Sequence, residues 1–133
     1  MPVWQFLDYI TEQHVCPIVD WFGTLTAEQQ AAFDVLVDTL AETEDWDEPK
    51  KSKRKYELLT RRHVGLCELK FKVDGRKFRP VGILHAEIHE FIFLGGCEKK
   101  GFFGTTDPPN AFDDALRLKE AYDRERGATR AHV

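Results

Sequence analysis

Lys70, Lys72, Lys77 and Arg79 are the residues whose types and spacing point most directly to chemistry. They flank Asp74-Gly75, a pair suited to a type I′ turn, which needs positive φ at both central positions. A two-residue loop fixes the pairing. Val73 falls opposite Arg76, Lys72 opposite Lys77, Phe71 opposite Phe78, and Lys70 opposite Arg79. One face of the hairpin then pairs phenylalanine with phenylalanine, and the other pairs cation with cation twice. Like charges directly opposite one another destabilise a sheet, so such a face makes most sense with an anion on it. Several cations on a sheet suit a phosphate backbone, and Phe102 and Phe103 nearby can stack on bases. Alternation along the second strand carries His85 to the Arg79 face, unless a bulge at Pro80 intervenes. The competing reading is a solvated face whose cations pair with carboxylates elsewhere in the chain.

Other constellations are weaker. His85, His89, Cys67 and Cys97 lack the tight local pairing usual for zinc ligands, so no metal is expected. There is no nucleophile-elbow serine and no phosphate-binding glycine loop, and no cofactor is expected. Cys16, Cys67 and Cys97 are odd in number and form no C-x-x-C, which reads as free thiols, mostly small core residues, in a reducing cytoplasm. The start, MPVWQFLDYITEQ, lacks the basic and cleavable apolar parts of a signal peptide, and no apolar run is long enough to span a membrane.

The elements that must position the cations follow from periodicity. Val3–Ile10 suits a strand or a short buried helix, and periodicity does not separate the two; a strand is preferred. Pro17 opens a helix with Ile18, Trp21, Phe22 and Leu25 on one side. Thr26 and Gln29 form a capping box for a second helix with Phe33, Leu36, Val37 and Leu40, ending near Glu42. Together they read as a helical hairpin. Glu44 to Lys55 is a loop broken by Pro49, and Tyr56–Leu59 adds a short strand. The hairpin itself spans Leu66–Val73 and Arg76–Leu84. Ile88–Leu94 is apolar on both faces and reads as an interior strand ended by Gly95-Gly96. CEKKGFFGTTDPP reads as a loop. Asn110 caps a final helix with Ala111, Ala115, Leu118 and Tyr122 on one face, and Gly127 stops it. The pattern predicts one domain over residues 1–126 and a frayed tail over 127–133.

Charge is segregated along the chain. Residues 1–49 hold eleven Asp/Glu and no Lys or Arg, whereas residues 50–100 hold fourteen Lys/Arg against six Asp/Glu. The overall net charge of −4 hides a basic middle segment of +8. That asymmetry suggests a polyanion-binding surface.

The order of these stretches resembles the RelE/ParE toxin superfamily of bacterial toxin–antitoxin systems, closest to its HigB-like, phage-derived branch. PIVDWFGTL followed by TAEQQAAFDVLVDTL is similar to that branch's helix pair. GLCELKFKVDGRKFRPV is similar to its strand pair, FIFLGGCEKKG to its strand ending in two lysines, and NAFDDALRLKEAY to its closing helix. The chain departs from the branch at Pro80, where a β-branched residue is usual, and in the stretch GFFGTTDPP. The resemblance implies an α+β fold with a small, twisted, mainly antiparallel sheet, an N-terminal helical hairpin on one face and a C-terminal helix.

The resemblance also implies an activity. The chain would be a ribosome-dependent endoribonuclease that cuts messenger RNA by attack of the ribose 2′-hydroxyl. A cognate antitoxin, expected to be of helix-turn-helix type, would restrain it by covering the basic face, with Trp46, Phe102 and Phe103 at the rim, or by displacing the closing helix. By position, the catalytic residues would be Arg79, Lys70, Lys99 and Lys100. Lys72, Lys77, His85, Phe102 and Phe103 would bind RNA, whereas the Tyr or His often found near the carboxyl end of RNA-cutting members has no clear counterpart unless Tyr122 or His132 serves. Arg79 would be the residue whose loss most reduces cleavage with the fold intact; the competing reading makes it a structural ion-pair partner of a carboxylate such as Glu68 or Glu98. Such chemistry asks mainly for fixed cations, each worth roughly 10²–10³ in rate. Two rival activities remain: a ParE-like inhibitor of DNA gyrase that cuts nothing, and a non-catalytic phage or accessory binding protein.

Overall fold

Asp74 and Gly75 both have positive φ, 51° and 77°. They close the hairpin in the register that the sequence predicts. In this computed structural model, which describes residues 3–46, 55–101 and 105–132, β4 (Phe71–Val73) pairs antiparallel with β5 (Arg76–His85). Phe71 lies opposite Phe78, Lys72 opposite Lys77 and Val73 opposite Arg76.

The strand before the turn is not continuous. β3 (Cys67–Leu69) is separated from β4 at Lys70, whose N–H donates instead to Lys55 O at 2.8 Å. Across the gap lies Pro80, which brings no N–H to the sheet. Pairing with β5 resumes at Glu68 opposite Val81 and Cys67 opposite Gly82.

The strand after the turn is longer than its apolar run. β6 spans Glu90–Lys100 rather than ending at Gly95-Gly96. Val81 faces Gly95 while Gly82 faces Phe93, so Leu94 is the extra residue of a β-bulge. The glycines serve packing instead of termination. A Cβ on Gly96 would collide with the ring of Trp21. The stretch read as a loop therefore contains the end of β6 and a further strand, β7 (Thr105–Asp107).

The remaining strands are β1 (Gln5–Ile10), β2 (Tyr56–Leu58) and β8 (Ala128–Ala131). Their order with β3, β5 and β6 is β2-β3-β5-β6-β1-β8, with β4 beside β5 and β7 beside β6. Among the described residues the sheet is thus eight-stranded, and it is mixed because β1 runs parallel to β6. This corrects the small RelE-like sheet in size, while the α+β class stands and six of the seven strand pairings among the described residues are antiparallel. Two short segments with weak strand signals, β7 and β8, extend it beyond the expected strands, and β2 forms where a short strand was expected. β8 also replaces the expected frayed tail. Its residues are exposed, but Leu7 to Ile10 pair with them, and the His132 N–H donates to Phe6 O at 2.9 Å.

The N-terminal helical hairpin is likewise not formed. α1 (Pro17–Phe22) follows β1 and lies on β6, whereas α2 (Ala27–Glu42) lies on β4 and β1. Each helix lays its apolar stripe mainly on the sheet, and the two meet where Phe33 of α2 packs against Trp21 and Phe22 of α1. α2 does begin with the expected capping box: Gln29 N–H donates to Thr26 Oγ1 at 3.2 Å and Thr26 N–H to Gln29 Oε1 at 3.0 Å. Such a cap is worth about 1 kcal/mol.

Two apolar layers flank the sheet. Ile18, Trp21, Phe33 and Leu40 bury one face against Phe6, Phe78, Phe91 and Phe93. On the other face α3 (Ala111–Asp123) covers Val81, Ile83, Ile92 and Leu94 with Ala115 and Leu118. α3 covers only the far half of that face. The near half carries the cations.

Candidate functional site

Alternation along the paired strands puts Lys72 and Lys77 on the α3 side of the sheet, and the register extends their row. Lys77 lies opposite Lys99 of β6, and Lys99 lies opposite Thr106 of β7. One rung across four strands therefore reads Lys72, Lys77, Lys99, Thr106. Adjacent strands are about 4.8 Å apart, so the three lysines fall within roughly 10 Å. Lys72 and Lys77 are exposed and Lys99 is half-buried. No carboxylate sits on this rung.

The next rung is different. Arg79 lies opposite Cys97 and is buried. Its Nη1 donates to Phe78 O at 3.0 Å, and its Nε stands 3.7 Å from Glu68 Oε1. Glu68 is itself buried, and its Oε2 finds no hydrogen-bond partner among the described residues. Burial pushes the Glu68 carboxyl above its ordinary range, opposed by Arg79, Lys99 and Lys70. Lys70 lies 3.7 Å from Glu57 of β2, which pairs with Glu68. The arrangement is graded: carboxylates under β2 and β3, an inward arginine, then an outward row of lysines.

The structure thus brings together Lys70, Lys72, Lys77, Arg79 and Lys99. It does not bring Lys100 to them. Consecutive strand residues point to opposite faces, and Lys100 Nζ lies 3.6 Å from Glu98 Oε1 on the α1 side, where Arg76 also holds Glu98 at 2.7 and 2.8 Å. His85 shares the Arg79 face without a bulge in β5, but six residues along the strand, about 20 Å away. Its Nε2 lies 3.3 Å from the Tyr122 hydroxyl, beside α3. Phe102 and Phe103 lie outside the described residues. Trp46 is 1% exposed and belongs to the core on the opposite face, not to a rim. His132 is also on the opposite face, its Nδ1 2.6 Å from Asp8 Oδ1 and its ring against Phe33 and Phe93. Neither Tyr122 nor His132 reaches the lysine row.

Cys97 lies beside Arg79, but burial pushes its thiol up to about 12, and burial raises Cys67 likewise. Both remain protonated and structural. Among the described residues, no three His, Cys, Asp or Glu side chains are grouped to hold a metal ion. Among the described residues, no helix is long and apolar enough to cross a membrane.

Glu57 and Thr106 were missed as members of this site. Their placement depends on β2 and β7, whose short segments give little periodic signal. Compared with known proteins, the chain matches no family model, no curated protein and no solved structure. Its functional reading therefore rests on these residues.

Proposed function

We propose that the lysine row binds RNA and that the protein is a cytoplasmic toxin that cuts messenger RNA on the ribosome, restrained by an antitoxin. One observation carries the first part: Lys72, Lys77 and Lys99 stand in adjacent register positions with no carboxylate on their rung. Such a row is self-repelling until an anion lies across it. A phosphate backbone supplies repeated anionic groups, and neutralising it releases counterions. The sequence resemblance supports the second part. Lys70 and Lys99 are the two expected catalytic residues that remain partly exposed on this face. They would stabilise charge on the phosphorus centre as the 2′-hydroxyl attacks. Arg79, turned toward Glu68, is a positioning residue in this reading.

The burial of Arg79 favours a second reading, an RNA-binding protein that cuts nothing, because the strand arginine is not free to fork onto a phosphate. A translation reaction with purified ribosomes separates the two. Cleavage of ribosome-bound message by the wild type, lost in Lys70→Ala/Lys99→Ala, supports the nuclease. RNA binding without cleavage supports the second reading, and double-strand breaks in DNA with intact RNA would favour gyrase inhibition.

A further inference from the structure

β6 pairs with β1 up to Phe93 and with β7 from Glu98 onward. Between these points, Gly95 and Gly96 have β5 on one side and, among the described residues, no strand on the other. They line a cleft of about 540 Å³ between α1 and α3. That volume lies within the usual range of binding cavities. Trp21 and Leu25 form one wall, and Ala115 and Leu118 the other. The rim is acidic, with Asp20, Asp107 and Asp114 all exposed. Asp114 lies 3.0 Å from the exposed Arg117. Arg76 is the one cation lining the cleft among the described residues, and Glu98 already holds it through two hydrogen bonds.

We propose that this cleft docks an extended segment of a partner protein, in which apolar residues alternate with lysine or arginine. The segment adds as a strand beside Gly95 and Gly96. Its backbone meets the open edge of β6, where neither residue has a side chain in the way. An apolar residue enters between Trp21 and Leu118, and a basic residue reaches Asp20 and Asp107. Strand addition gives affinity through main-chain hydrogen bonds and specificity through alternate side chains. The acidic rim supplies the charge preference. None of the lysines of the row lines this cleft, so its occupation is read separately from RNA binding.

The test is selection from a library of N-acetylated, C-amidated hexapeptides on the full chain, with the amide resonances of Gly95 and Gly96 as the readout. The selected peptides are expected to alternate apolar and basic residues and to shift both glycine amides. Raised salt should weaken them. Asp20→Lys/Asp107→Lys should weaken them by about tenfold or more, whereas Lys72→Gln/Lys77→Gln should leave them unchanged. The proposal is overturned if no peptide is selected, or if those selected carry no basic residue or shift other amides. It is also overturned if spermidine alone shifts the two glycines as strongly, which marks a small-cation site. Shifts at these glycines on dilution of the protein, without peptide, would make a second copy of the chain the occupant and overturn it too.

Discussion

Arg79 Nε stands 3.7 Å from Glu68 Oε1, and the two side chains are 8% and 2% exposed. This buried pair changes the meaning of an arginine expected to face a phosphate. Arg79→Ala should destabilise the fold by about 3–5 kcal/mol in denaturant unfolding, the usual cost of stranding one partner of a buried pair. Arg79→Leu/Glu68→Leu should recover most of that loss. The deficit of Arg79→Ala should also depend on pH. Burial raises the Glu68 carboxyl, and Arg79 is the largest cause opposing it. Removing Arg79 therefore raises Glu68 further. A carboxyl raised in the folded state weakens the fold as pH rises above its unfolded value of about 4.3. The gap between variant and wild type should widen toward neutral pH and narrow below about pH 4.

Lys77 sits between Lys72 and Lys99 in one rung. Lys77→Glu replaces two repulsions by two attractions, each worth about 0.2–1 kcal/mol. The variant should be as stable as the wild type or more so in thermal unfolding, yet bind RNA more weakly. Loss of stability together with unchanged RNA binding would mean that the row is a structural feature.

How much of this could be read in advance depended on range. The Asp74-Gly75 register and the Thr26–Gln29 cap are set by neighbours within a few residues, and both form as their spacing predicts. Gly95-Gly96 misled because a glycine pair suits a strand end as well as a close approach. The collision that a Cβ on Gly96 would have with Trp21 is invisible until α1 is placed on β6. Reading the residues after Gly96 as a loop also hid the fact that Lys99 and Lys100, adjacent in a strand, must part to opposite faces. The Arg79–Glu68 pair was legible only as one of two choices, Glu68 or Glu98. Glu98 went instead to Arg76, on the other face. The helical hairpin failed because amphipathic stripes reveal that a helix packs, but not against what.

Glu98 gives a pH prediction of opposite sign. Hydrogen bonds from Arg76 hold its carboxyl below its ordinary range. A depressed carboxyl contributes stability that is full above the unfolded value of about 4.3 and is lost as pH falls through the folded value. Arg76→Ala should therefore be less stable than the wild type at neutral pH. The difference should close in acid, as followed by denaturant midpoints across a pH series.

RNA binding by the lysine row is the central claim, and the salt dependence of that binding tests it most directly. Affinity for a single-stranded RNA should fall linearly with the logarithm of salt concentration. The slope for the wild type should exceed that for Lys72→Gln/Lys77→Gln/Lys99→Gln by about 2, the value for three phosphate contacts on a single strand. An unchanged slope in a folded triple variant would contradict the assignment of RNA to this face.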